Sequence, residues 1–118
     1  MAMHTDLAIY KASIDLFKLA TGLTRNIPRD LKQVISKRVM DDCMEILTLI
    51  GRANSNRDKR PHLELLLEKV HQVDLVMRLC TESRFISPEQ QSKTILLTSS
   101  IGKQANAWKR STPTAPAI

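Results

Sequence analysis

The chain has 118 residues, 42% of them hydrophobic but only 3% aromatic, with a formal net charge of +6. This length suits one domain with a self-sufficient core. An apolar fraction made of Leu, Ile, Val, Ala and Met, with three glycines and five prolines, argues against a sheet of many short strands. No apolar run approaches the ~20 residues that span a bilayer, and no secretory leader opens the sequence, so a cytoplasmic protein is expected.

The first predicted helix covers about Thr5 to Thr24, with Thr5 and Asp6 as a cap and an acidic first turn. Leu7, Tyr10, Ile14, Phe17 and Thr21 recur at helical spacing and define its inner face, which Leu16, Leu19 and Leu23 widen. Pro28 fits the first position of a second helix running to about Asn54. Its inner face reads Leu31, Ile35, Val39, Cys43 or Asp42, Ile46, Ile50 and Ala53, with Met40, Met44 and Leu47 as a second apolar strip.

The polar stretch from Asn54 to Pro61 is the middle break. A third helix follows, with Leu63, Leu66, Leu67, Val70, Val73, Met77 and Cys80 inward, and Leu65, Val76 and Leu79 alongside. It ends near Glu82 to Arg84. Ser87-Pro88-Glu89-Gln90 is a capping-box signature for a fourth helix. That helix continues through Gln91, Ile95, Thr98, Ile101, Ala105 and Trp108. Residues 111–118, with two prolines, read as a flexible tail behind a bundle spanning 1–110. Short breaks force neighbouring helices antiparallel, so the fold class is all-α, an up-down-up-down four-helix bundle.

No catalytic constellation is present. His4, His62 and His71 fall in separate segments, and neither Cys43 nor Cys80 has a metal-ligand partner at a recognised spacing. Glu68-Lys-Val-His71 matches half of a di-iron bundle motif, but the first helix supplies no glutamate to complete such a site. Cys43 and Cys80 read as buried thiols. Asp41, Asp42 and Glu45 lie at helical spacings from Lys37, Arg38 and Lys32, which suits ion pairing. A non-enzyme without metal or cofactor is expected.

Charge is distributed unevenly. Residues 25–60 carry nine basic and five acidic side chains, and residues 88–118 four and one. Up-down connectivity brings Arg52, Arg57, Lys59 and Arg60 to the same end as Lys103, Lys109 and Arg110, forming a candidate nucleic-acid-binding pole. The helix dipole accounts for Arg52, Lys109 and Arg110 at helix C-termini, but not for Arg57, Lys59 and Arg60 ahead of the third helix. With no aromatic interleaved among them, contacts would be to phosphates. Met40, Met44, Leu47, Leu65, Val76 and Leu79 exceed what a bundle core requires, so they are candidate oligomer or partner contacts; a wider core stripe would account for them equally well.

Tyr10, Ile27-Pro28, Arg78-Leu79, Phe85-Ile86-Ser87 and Ile101-Gly102 followed by Trp108 occur in an order and spacing that spans about residues 7 to 110. In these features the chain resembles the accessory variability determinant proteins of diversity-generating retroelements. They belong to a four-helix-bundle family that also includes proteins encoded in ribosomal-RNA intervening sequences. Ile50-Gly-Arg-Ala-Asn54 departs from the Asn-Ile-Ala-Glu-Gly-like segment of that second branch. The resemblance implies a basic homopentamer that associates with a reverse transcriptase and its template RNA, or DNA, during mutagenic cDNA synthesis. Catalysis would belong to the polymerase. The alternative is a helical adaptor that binds protein alone.

Overall fold

The computed structural model describes residues 3–112, and these form four α-helices with no strand among them. They are α1 (Ala8–Leu23), α2 (Arg29–Ser55), α3 (Arg60–Glu82) and α4 (Pro88–Ser111). Consecutive helices pack side by side, and α4 returns to close against α1, giving a four-cornered bundle with α2 and α4 on one diagonal. Its extents are 53 × 27 × 23 Å.

The helix ends follow the local chemistry of the chain. Thr5 and Asp6 do not cap α1; they lie in a short 3-10 turn, His4–Asp6, and the extended Leu7 precedes the helix without a side-chain cap. Pro28 stands just outside α2, where its carbonyl accepts from the amides of Leu31 and Lys32 at 3.0 and 2.8 Å. The start of α4 is as the sequence indicates. Ser87 Oγ accepts from the Gln90 amide at 3.0 Å, and Gln90 Oε1 accepts from the Ser87 amide at 2.8 Å. Between α3 and α4, Arg84 adopts a left-handed backbone with φ 63°. This turn lets the Phe85 and Ile86 amides reach back to the Cys80 carbonyl, and places Ile86 in the core.

The core differs from the sequence pattern in three of the four helices, and in α2 it includes Leu49, which lies off the expected face. In α1 the innermost residues are Ile9, Ser13, Leu16, Ala20 and Leu23, while Leu7, Tyr10, Ile14, Phe17 and Thr21 lie half-buried on one flank. The helix is turned by about one residue, 100°, which brings the small side chains of Ser13 and Ala20 inward. Ser13 satisfies its hydroxyl on the Ile9 carbonyl at 2.8 Å. In α2, Leu31 is 47% exposed, because the first turns of this long helix run past the packed layers. In α4, Ile95 is 43% exposed; the inward residues are Thr94, Thr98, Ile101 and Ala105.

α3 matches its predicted face, with only Leu67 left half-buried. The ambiguous pair Asp42 and Cys43 are both buried, and Arg38 Nε donates to Asp42 Oδ2 at 3.2 Å. Burial, reinforced by the neighbouring Asp42 charge, pushes the Cys43 thiol up to about 12. Burial likewise raises Cys80, and both cysteines are free. The proposed tail is helical at Ser111, and Thr112 is buried with its hydroxyl on the Trp108 carbonyl at 2.9 Å. The remainder of that tail, 113–118, lies outside the described residues.

Candidate nucleic-acid interface

Two contacts join the α2–α3 connection to the end of α4. The Lys59 ammonium lies 5.8 Å from the centre of the Trp108 ring. Lys109 Nζ meets Glu64 Oε1, in the second turn of α3, at 3.6 Å. The ends of the two sequence segments with the largest basic surplus therefore share one end of the bundle.

The cations at this end are not equivalent. Arg52, Arg57, Lys103 and Arg110 are exposed, whereas Lys59, Arg60 and Lys109 are half-buried. Lys59 donates to the carbonyls of Ala53 at 2.7 Å and Asn56 at 2.8 Å. It thus caps the C-terminus of α2, where a cation is favoured by the dipole. The sequence places Lys59 ahead of α3, where charge would be unfavourable; the fold turns it back onto the preceding helix. The Arg60 amide donates to Asp58 Oδ1 at 3.4 Å, which stands in for a cap at the start of α3.

The exposed members share an end but not a face. Arg52 belongs to α2, whereas Lys103 and Arg110 lie seven residues apart on one side of α4, the helix diagonally across the bundle from α2. A phosphate backbone touching both groups must cross the end of the bundle, over Arg57 in the connecting loop.

The opposite end carries cations that the sequence pattern balances against acidic neighbours. Arg25, Arg29, Lys32 and Arg84 are all exposed there, and none is ion-paired among the described residues. Three cations pair with a carboxylate one turn along their own helix. Lys37 pairs with Asp41 at 2.8 Å, which raises the lysine through its hydrogen bond and the carboxylate charge. Arg38 pairs with Asp42 at 3.2 Å, and Arg78 approaches Glu82 at 3.7 Å. Exposed cations without an ion pair among the described residues stand at both ends, and Lys11, Lys18 and Lys93 lie between them.

The apolar candidates also divide. Met40, Met44, Leu65 and Leu79 are 45%, 51%, 37% and 52% exposed, while Leu47 and Val76 are half-buried and Val76 packs against the core. The His4 ring sits against Gly51, on the side of α2 that Leu47, Met44 and Met40 continue at helical spacing. The methionine strip therefore faces the N-terminal turn and α1. On α3, Asp74 accepts from Thr98 Oγ1 of α4 at 2.7 Å and so marks the α4 side; Leu65 and Val76 lie on the other side. The two strips are separate surfaces. Sequence periodicity missed further exposed apolar side chains, namely Val34, Leu75 and Leu96. Each is a single residue outside its helix's repeating stripe, and only packing distances reveal it.

An open groove between α3 and α4 is lined by His71, Asp74, Leu75, Arg78, Gln91 and Ile95. It brings together no group of three His, Cys, Asp or Glu side chains able to hold a metal among the described residues. No described helix is long and apolar enough to cross a membrane. No protein-family model, curated protein or solved structure matches the chain.

Proposed function

We propose that this protein is a non-catalytic nucleic-acid-binding subunit. It acts as the accessory factor of a diversity-generating retroelement, a basic homopentamer that holds template RNA for a reverse transcriptase. The observation that carries the reading is the exposed quartet Arg52, Arg57, Lys103 and Arg110 at the end where α2, α3 and α4 meet. The sequence resemblance supplies the retroelement context. Trp108 does lie among these cations, contrary to the sequence expectation, but it is half-buried with Lys59 over its ring, so binding acts through phosphates and is indifferent to base sequence.

The test is filter binding of a structured RNA between about 50 and 200 mM salt, where log affinity falls linearly with log salt and more steeply the more phosphates are neutralised. Charge reversal of Arg52, Arg57 and Arg110 should weaken binding uniformly across RNA sequences and flatten the salt slope. Unchanged affinity and slope would exclude this end as the interface. Co-purification with a reverse transcriptase encoded beside the gene tests the assignment to a retroelement.

The exposed Met40 and Met44 favour a second reading, a protein adaptor docking through that strip. Sedimentation separates the two. A protein without salt-sensitive RNA affinity whose self-association or partner binding is abolished by Met40→Ser/Met44→Ser is an adaptor.

A further inference from the structure

We propose that the bundle binds nucleic acid at both ends, with Arg25, Arg29, Lys32 and Arg84 forming a second phosphate-binding site, so that one chain links two backbone segments. The inference rests on the nucleic-acid reading above and extends it to the opposite end.

The four residues come from the two connections, α1–α2 and α3–α4, that the up-down topology brings to this end. Arg25 lies in the 3-10 turn Thr24–Asn26 after α1, Arg29 and Lys32 open α2, and Arg84 lies in the corner between α3 and α4. All four are exposed and none is ion-paired among the described residues. The carboxylates at this end are Asp30 and Glu89, and both occupy first helical turns, where the backbone dipole already favours them. Glu82 is engaged by Arg78.

The dipole at the C-terminus of α1 favours Arg25, but folding alone does not account for the other three cations. Arg29 and Lys32 stand at the positive end of the α2 dipole, which disfavours them. Arg84 occupies a left-handed position that glycine or asparagine fills at lower strain. At the other end of the molecule, Lys59 and Lys109 have partners within the bundle. A cluster held against local stability at three independent positions is explained by a ligand of opposite charge.

A phosphate backbone fits better than a lipid surface. The cations project from turns around an end, Arg84 on the α3–α4 side and Arg25 on the α1–α2 side, and no exposed aromatic accompanies them to anchor an interface. The molecule is 53 Å long. A strand of about six nucleotides, rising ~3.4 Å per nucleotide, cannot reach from one end to the other.

The experiment counts oligouridylates of about six nucleotides, within the known range of single-strand site sizes, bound per chain at low salt by calorimetry. The wild-type protein should bind two. Arg29→Glu/Lys32→Glu/Arg84→Gly should bind one and melt no lower than the parent, because these changes suit the dipole and the turn. Reversing Arg52, Arg57 and Arg110 should also leave one. A count of one that the first variant leaves unchanged overturns the second site while keeping the first. A count of zero overturns both. Loss of binding by the first variant only to anionic phosphatidylserine vesicles, with RNA stoichiometry intact, assigns this end to membranes and overturns the proposal.

Discussion

The Lys59 ammonium lies over the Trp108 ring while donating to the Ala53 carbonyl, so one side chain closes α2 and holds the end of α4. An ammonium occupied in this way has few protons left for phosphate. Lys59→Ala should therefore cost about 1–2 kcal/mol of stability, the combined scale of a charged hydrogen bond and a cation–π contact. The salt slope of RNA binding should stay unchanged. Denaturant melts and filter binding on the same variant separate the two; a shallower slope with intact stability would return Lys59 to the interface.

The capping box at α4 makes a sharper local prediction. Ser87→Ala removes the acceptor for the Gln90 amide and should cost about 1 kcal/mol. Ser87→Asp should recover most of it, since aspartate accepts the same bond and suits the dipole. Thermal unfolding of both variants reads the difference.

Arg84→Gly should stabilise the protein by about 0.5–1 kcal/mol, because glycine occupies φ 63° without a Cβ clash, offset in part by its freer unfolded chain. Arg84→Ala should not, since alanine retains the clash. Equal stability of the two variants would show that the turn is relaxed.

Between α3 and α4, Thr98→Val leaves the half-buried Asp74 carboxylate without its 2.7 Å donor. A loss of about 1–3 kcal/mol is expected. Thr98→Ser should keep the bond and most of the stability. A valine variant as stable as the parent would mean that water replaces the hydroxyl.

Cys43 gives a pH signature. Its pKa is raised from 9.0 to about 12 in the folded protein, so the unfolded chain ionises first. The stability tied to the neutral thiol is complete below pH 9 and is lost as pH rises from 9 towards 12. Urea denaturation across that range should fall more steeply for wild type than for Cys43→Ala, and parallel curves would show that the thiol is hydrated.

The sequence foretells the number of helices, their connections and the inward face of α3, because long apolar stripes broken by proline and polar turns admit few alternatives. It misplaces the α1 stripe, since the small Ser13 and Ala20 carry little apolar signal although both are buried. Leu31 shows the corresponding failure in α2: periodicity gives a side chain's direction but not whether anything stands opposite. At the candidate interface, charge counting locates the cationic end but cannot separate Lys59, folded back onto carbonyls, from Arg57 in solvent. The cations at the far end pass for balanced in a count, because Asp30, Glu82 and Glu89 lie among them in the sequence.

The inward face of α4 consists of Thr94, Thr98, Ile101 and Ala105, whereas α3 contributes Leu63, Leu66, Val70, Val73 and Met77. Area buried by apolar groups sets how firmly a helix is held, so α4 should open more readily than its neighbours. Its amides beyond the capped first turn should exchange with deuterium ahead of those in α3. Lys103 rides on that helix, ahead of the end that Lys59 and Lys109 tie to α2 and α3. A cation on a helix that can swing can follow an irregular strand, while those on α2 and its loop provide a fixed anchor.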